Sequence, residues 1–152
     1  MASRRRARVF ALSALYCADV RSESMAGTLN QLWSALMDDD GIEGERAPES
    51  TEMEFATRLA RGVEDTRDGI DALIDQCSTN WRLPRMPVVD RNILRLAAYE
   101  LRSCPDIPAS VSVNEAVELA KAYGGTDSKA FVNGIVDRMG RQLGRLDKRR
   151  RR

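Results

Sequence analysis

Four arginines stand close together near the start of the chain: Arg4, Arg5, Arg6 and Arg8. No acidic residue precedes Asp19. If this segment forms a helix, with 100° between residues, Arg5, Arg8 and Tyr16 share one side with Leu12. Cations on a rigid face beside an aromatic ring suit a nucleic-acid strand, because the cations bind phosphates and the ring stacks on a base. The alternative is a solvated, charged helix start, although positive charge there opposes the helix dipole.

The formal net charge of +1 hides an uneven distribution of charge. Residues 1–8 contain four arginines and no acid, and residues 138–152 contain eight basic residues and one acid. The intervening residues 9–137 contain 12 basic and 22 acidic residues. Two basic ends on an acidic body are expected of a protein whose ends meet phosphate. We expect residues 147–152 to form a disordered basic tail that raises affinity for any strand without reading its sequence.

Hydrophobic residues recur with a helical period along the chain, and no strand-like alternation extends beyond a few residues. The sequence therefore predicts an all-α fold of six or seven helices, arranged as two small helical bundles packed together. We expect one domain over residues 1–146, with an N-terminal half of about 1–80 and a C-terminal half of about 88–146. Pro84 and Pro87 disfavour helix in the residues before them, which places the hinge between the halves there.

Local signals predict where some of these helices begin. Thr51 with Glu54, and Ser112 with Glu115, have the spacing of capping boxes. The acidic segment 38–49 is interrupted by glycine and proline and has little to bury, so we expect a mobile loop. A helical stripe of mainly apolar residues includes Ile70, Leu73, Ile74, Cys77 and Trp81.

The strongest predicted helix covers about residues 88–103. Its inward positions are Ile93, Leu96, Ala97 and Leu101. A stripe expected on the outside contains Arg91, Arg95, Ala98 and Arg102. Glu100 projects from the apolar face, where a carboxylate needs a partner. A structural ion pair or cap explains this position better than a catalytic acid.

The chain lacks the residues and motifs on which several common kinds of protein chemistry depend. It has no histidine, no glycine-rich phosphate loop and no cysteine spacing typical of zinc. Cys17, Cys77 and Cys104 are widely spaced and are expected to be small buried residues. We therefore expect no catalytic activity, metal or cofactor. No apolar run approaches the length of a membrane span and no signal peptide is recognisable, so we expect a cytoplasmic protein.

Four groups of segments occur in a distinctive order and spacing. They are residues 4–8 (RRRAR) with 14–16 (ALY); 80–81 (NW) with 89–95 (VDRNILR) and 99–101 (YEL); 107–108 (IP) with 113–121 (VNEAVELAK); and 127–128 (DS) with 131–134 (FVNG). Together, over roughly residues 4–139, they resemble the NusB family of bacterial transcription antitermination factors. This resemblance implies an all-helical RNA-binding protein.

The resemblance also implies partners and site residues. NusB proteins bind single-stranded boxA RNA, notably in ribosomal RNA leaders, together with NusE, a small-subunit ribosomal protein, and help RNA polymerase to pass terminators. Family members often carry a basic residue just before the phenylalanine of the last segment, where this chain has Ala130. The expected RNA contacts are Arg4, Arg5, Arg6, Arg8, Tyr16, Arg95, Asp127, Ser128, Lys129 and Phe131. The expected protein-partner contacts are Asp90 and Arg91.

Helical periodicity places Phe131 at the margin of an apolar stripe, about 40° from Ile135. A lone phenylalanine is usually a core residue. The marginal position beside Gly134 also leaves room for a base to stack on the ring.

Two other functions remain open at the level of sequence. The same helical fold precedes the catalytic domain in some RNA cytosine methyltransferases, and the chain as such a domain is one alternative. A structural helical protein without RNA selectivity is the other. The sequence also leaves open whether the protein is a monomer or a homodimer.

Overall fold

The computed structural model describes residues 2–38 and 46–146. Its helices are α1 (Arg4–Arg21), α2 (Met25–Met37), α3 (Ser50–Asp65), α4 (Arg67–Cys77), α5 (Val88–Ser103), α6 (Ala109–Tyr123) and α7 (Ser128–Gln142), with a 3-10 helix at Leu83–Arg85. The described residues contain no strand, so the predicted all-α fold is confirmed for them. None of their helices has the length and apolar character needed to span a membrane. The predictions for most of the acidic loop (39–45) and for the tail (147–152) lie outside the described residues.

The chain forms two compact units, which divide between Glu64 and Asp65. This division lies at the junction of α3 and α4, upstream of the segment 81–87 where the sequence places the hinge. α4 belongs to the C-terminal unit because it packs against α5 and α7 and buries Ile70 and Ile74. Pro84 lies in the 3-10 helix and Pro87 directly precedes α5, so both prolines lie inside the C-terminal unit and not at its boundary. That residues 1–146 act as a single domain stays a prediction.

In the N-terminal unit α1 packs against α2 through small and aromatic residues. Ala7, Ala11 and Ala14 are buried, and their small side chains let the neighbouring helices approach closely. The ring of Phe10 meets the ring of Trp33 edge-on, with 5.7 Å between centroids. α3 contributes a buried face of its own, made of Phe55, Ala56, Leu59, Ala60 and Val63.

The start of α3 differs from the predicted capping box. The helix begins at Ser50, and the carboxylate of Glu52 accepts a hydrogen bond from the backbone N–H of Glu49 at 3.0 Å. Glu52 is the third helical residue, the position from which a capping carboxylate reaches back. Thr51 and Glu54 are exposed, and the capping box predicted from them is wrong.

In the C-terminal unit α5 packs against three helices: α4, α6 and α7. Its predicted inward residues, Ile93, Leu96, Ala97 and Leu101, are all buried. Arg102 is exposed as expected, but Arg95 and Ala98 are buried as well. A helix covered on three sides has little outer surface, so the predicted outer stripe is wrong at these two positions.

α6 begins at Ala109, three residues before its predicted cap. Ser112 is buried, and its hydroxyl donates a hydrogen bond to Oε1 of Glu100 at 2.8 Å. The capping role predicted for Ser112 is therefore wrong. The structural role predicted for Glu100 is confirmed, since its carboxyl group meets a hydroxyl inside the core.

The three cysteines are free thiols. Cys77 and Cys104 are buried as predicted, whereas Cys17 is half-buried. Burial raises the pKa of the Cys77 thiol, which keeps it protonated at neutral pH. The thiol lies 3.4 Å from Oε1 of Gln142 and donates a weak hydrogen bond to it, joining the end of α4 to the end of α7.

We expect Ser112→Ala to lower the free energy of unfolding by about 1–3 kcal/mol, because it removes a hydrogen bond to a buried carboxyl group. Urea denaturation followed by circular dichroism measures the change. Ser110→Ala is the matched control, since Ser110 lies in the same helix but is exposed. Equal stabilities of the two variants would show that the contact with Glu100 contributes nothing.

Candidate nucleic-acid interface

The four arginines at the start of α1 differ in how much of each side chain reaches solvent. Arg4 and Arg5 are exposed, Arg6 is half-buried, and Arg8 is only 3% exposed. The guanidinium of Arg8 lies over the ring of Phe55 in α3, 5.4 Å from its centroid. The expectation that Arg8 lies on an open face with Arg5 is therefore wrong, because a residue of α3 covers α1 at that point.

Arg6 is held by a buried carboxylate. Glu52 is only 1% exposed and accepts a hydrogen bond from Nη1 of Arg6 at 3.0 Å. It also accepts from both terminal nitrogens of Arg46, at 2.9 and 2.8 Å, and from the backbone N–H of Ser3 at 2.8 Å. One carboxylate thus joins the start of α1, the start of α3 and the segment that leads into α3.

The charge of Glu52 is stabilised by these donors. The hydrogen bond from Arg46 has the largest effect, and together with backbone N–H groups it lowers the pKa of Glu52 to about 2 although burial opposes the shift. The same contact raises the pKa of Arg46. The carboxylate is therefore charged at neutral pH, and it fixes the first turn of α1 while partly neutralising Arg6.

Arg4, Arg5 and Tyr16 are the predicted RNA contacts of α1 that are exposed. The guanidinium of Arg4 lies 4.4 Å from the centroid of the Phe55 ring, a contact that orients an exposed cation. Arg5 and Tyr16 are eleven residues apart, so they share one face and are separated by roughly 16 Å along the helix axis. Tyr16 is 41% exposed. The predicted placement of Arg5 and Tyr16 on one exposed face is confirmed, and a cation and a ring on one face suit a phosphate group and a base.

At the start of α7 the four predicted contact residues separate into two groups. Asp127 and Lys129 are exposed and Phe131 is half-buried, but Ser128 is buried. The hydroxyl of Ser128 donates to Oδ1 of Asp90 at 2.7 Å and accepts from the backbone N–H of Gly125 at 2.9 Å. Ser128 therefore anchors the first turn of α7 to the first turn of α5.

Asp90 is buried in this contact. A direct contact between its side chain and a protein partner stays a prediction, and in this structure the carboxylate is bound to Ser128. Arg91, which was expected to act with Asp90, is half-buried, and its Nη1 donates to the carbonyl oxygen of Pro84 at 3.5 Å. Of the two, Arg91 is the one whose side chain reaches the surface.

Arg95 is an internal structural residue. It is 4% exposed and forms a two-point ion pair with Asp71 of α4, with Nε–Oδ1 at 2.9 Å and Nη2–Oδ2 at 3.2 Å. Its Nη1 donates to the side-chain oxygen of Asn92 at 3.2 Å. An RNA contact from Arg95 stays a prediction, and this pairing disfavours it because contact with RNA would require the ion pair to break.

Trp81 is a candidate functional residue that helical periodicity misplaces. It lies beyond the end of α4 and is 48% exposed, so its assignment to the apolar stripe of that helix is wrong. Its ring lies 5.6 Å from the ring of Phe131, centroid to centroid, with the planes inclined at 51°. The signal that could have identified it is the pair Asn80-Trp81, which belongs to the segments that carry the family resemblance.

The chain is similar to known proteins along most of its length. The model of the NusB family matches residues 5–141. The transcription antitermination protein NusB of Myxococcus xanthus is 46% identical over 139 residues, which cover 91% of this chain and 95% of the relative. The corresponding protein of Geotalea daltonii is 45% identical over 94% of this chain and 97% of its own length.

Solved structures give the same result for the fold. NusB of T. maritima aligns with a TM-score of 0.80 and 36% identity, covering 96% of this chain and all of that one. A chain from a complex of the antitermination factors NusB and NusE with double-stranded RNA aligns with a TM-score of 0.76 at 24% identity, over 91% of this chain and 96% of its own.

The low pKa of Glu52 predicts how stability depends on pH. A carboxyl group whose pKa falls from 4.5 to about 2 on folding stabilises the protein fully above about pH 4.5 and loses this contribution as the pH falls toward 2. We therefore expect the free energy of unfolding of the wild type to fall more between about pH 5 and 3 than that of Glu52→Gln.

Urea denaturation at a series of pH values measures this difference. Glu54→Gln is the matched control, because Glu54 lies in the same helix and is exposed. It is expected to follow the wild type. Parallel pH profiles for the wild type and Glu52→Gln would contradict the role assigned to Glu52.

Proposed function

This chain belongs to the NusB family, and we propose that it is an RNA-binding transcription antitermination factor that binds boxA RNA of ribosomal RNA leaders together with NusE. The observation that carries the proposal is the exposed face of α1 that holds Arg5 and Tyr16, both within the residues 5–141 that the family model matches. Arg4 is exposed one residue before this match. Cations and a ring on a rigid helix suit a single strand, whose phosphates and bases alternate along its length.

The two remaining arginines of α1 have a different role in this proposal. Arg6 is bound to Glu52 and Arg8 lies against Phe55, so they hold α1 in place and add to its positive field. Arg4 and Arg5 make the phosphate contacts. Near the start of α7, Lys129 supplies the cation that many family members carry one position later.

We propose further that the complex joins RNA polymerase during antitermination, which places the protein in the bacterial cytoplasm. The start of α5 is the surface proposed for NusE. There Arg91 reaches the surface and Asp90 holds the helix start through Ser128.

The proposed role is binding without catalysis. Among the described residues, no group of three His, Cys, Asp or Glu side chains is placed to hold a metal ion. The alignment with this chain covers 95% of the relative from M. xanthus and 97% of the relative from G. daltonii. That coverage favours an antitermination factor over the helical domain of a methyltransferase.

The function is tested by titrating the protein with boxA RNA and with a scrambled strand of equal length, each with and without NusE. We expect tighter binding to boxA than to the scrambled strand, and a larger preference when NusE is present. Equal affinity for both strands in the presence of NusE would instead identify a helical protein without RNA selectivity. Light scattering on the free protein distinguishes a monomer from a homodimer.

The exposed arginines should account for part of the salt dependence of binding. Each phosphate contact on a single strand contributes about 0.7 to the slope of log K against log salt concentration. We expect Arg4→Ala with Arg5→Ala to weaken boxA binding and to reduce this slope by about 1.4, since two contacts are lost.

Arg21→Ala is the matched control for this pair. Arg21 is an exposed arginine in the last turn of the same helix, about 160° around the axis from Arg5, and its loss should leave the slope unchanged. Circular dichroism verifies that each variant is folded. A folded double variant with the slope of the wild type would remove these two arginines from the RNA contact.

A further inference from the structure

The segment that carries Trp81 is held firmly on both sides of the tryptophan. The hydroxyl of Ser78 donates to the carbonyl oxygen of Trp81 at 2.6 Å. On the other side, the backbone N–H of Leu83 donates to Oδ1 of Asp75 at 3.0 Å, and the Leu83 side chain is buried. The backbone on both sides of Trp81 is therefore held in place, although nearly half of the tryptophan side chain lies in solvent.

The indole has one supported side and one open side. Phe131 of α7 lies against it with a ring separation of 5.6 Å and an inclination of 51°. Rings at this distance and angle are in contact, so a base cannot enter between them without moving one of them. The exposed surface of Trp81 is the larger of the two aromatic surfaces, because Phe131 is half-buried. A planar ligand would therefore stack on the indole, with Phe131 behind it.

The charges beside the indole suit a nucleic-acid backbone. Arg82, the next residue, is exposed. Arg138 is also exposed and lies on the same face of α7 as Phe131, seven residues further on. Its Nε donates to the carbonyl oxygen of Cys77 at 2.7 Å, which holds the guanidinium at the end of α4. The nearby carboxylate of Asp75 is bound to the Leu83 N–H, and the Asn80 side chain is exposed and can donate to a base edge.

We propose that Trp81 is a base-stacking residue of the RNA site, and that it takes one unpaired base of a single strand on its open face. Phe131 is then a positioning residue that supports the indole, and Arg138 and Arg82 meet the adjoining phosphates. This inference rests on the proposed RNA-binding function and adds to it a contact that the N-terminal arginines do not provide.

Tryptophan fluorescence tests the stacking directly. The chain has two tryptophans, and Trp33 is the one packed edge-on against Phe10. In a Trp33→Phe protein all tryptophan emission comes from Trp81, and we expect boxA RNA to quench it with the midpoint found by gel shift. In the converse Trp81→Phe protein, emission from Trp33 serves as the control and should change little.

Affinity measurements give the second readout. Trp81→Ala is expected to weaken boxA binding roughly 5- to 150-fold, the range found for loss of one base–aromatic stack. Trp81→Phe retains a ring and should recover most of the affinity. Strands lacking one base at a time locate the contact, because the loss caused by Trp81→Ala should disappear when the stacked base is absent.

A double-mutant cycle separates the contributions of the Trp81 and Phe131 rings to RNA binding. If Phe131 acts by supporting the indole, Phe131→Ala weakens binding in the wild type but has little further effect in Trp81→Ala. Equal losses in both backgrounds would make Phe131 an independent stacking residue and contradict the supporting role. Urea denaturation of each variant corrects the affinities for any unfolded fraction.

These experiments distinguish failure of the proposed RNA-binding function from failure of the role proposed for Trp81. If the wild type does not prefer boxA over the scrambled strand, the proposed function itself is wrong. If the wild type prefers boxA but Trp81→Ala binds it equally well, or Trp81 emission is unchanged at saturation, only the role of Trp81 is overturned.

Discussion

Buried charge needs a partner inside the protein, and this requirement decides which basic residues remain available at the surface. In the N-terminal unit Glu52 binds Arg6 and Arg46 and thereby fixes the first turns of α1 and α3. In the C-terminal unit Asp71 binds Arg95 and joins α4 to α5. In each unit an arginine that the sequence predicts as an RNA contact is bound to a carboxylate of a neighbouring helix.

The surface that we propose for RNA therefore has fewer available arginines than the sequence indicates, but two of them are held in position by contacts within the protein. Arg4 rests against the ring of Phe55, and Arg138 is bound to the carbonyl oxygen of Cys77. A cation held in position loses less conformational freedom on binding than a freely moving one. The backbone of Trp81 is likewise anchored, by the hydrogen bond from Ser78, so this residue also loses less conformational freedom when a ligand binds.

The sequence predicts the helices well because their signal repeats many times. The inward residues of α5 follow the helical period, and all four are buried. The polar residues are harder to place, because a helical wheel separates polar from apolar positions without showing how many neighbours a helix has. α5 is covered by three helices, so Arg95 is buried despite its charge. Trp81 is misplaced for a related reason, since periodicity does not reveal that α4 ends at Cys77.

The hydrogen bond between Ser128 and Asp90 connects two surfaces to which the sequence assigns different partners. Asp90 stands at the start of α5, on the surface proposed for NusE, and Ser128 stands at the start of α7, three residues before Phe131. A substitution at Asp90 would leave the Ser128 hydroxyl in a buried site without its acceptor, and the first turn of α7 would shift or loosen. Loss of NusE binding in such a variant would therefore not by itself identify Asp90 as a contact residue. Because one buried contact sets the starts of both helices, RNA affinity and partner affinity are expected to change together there.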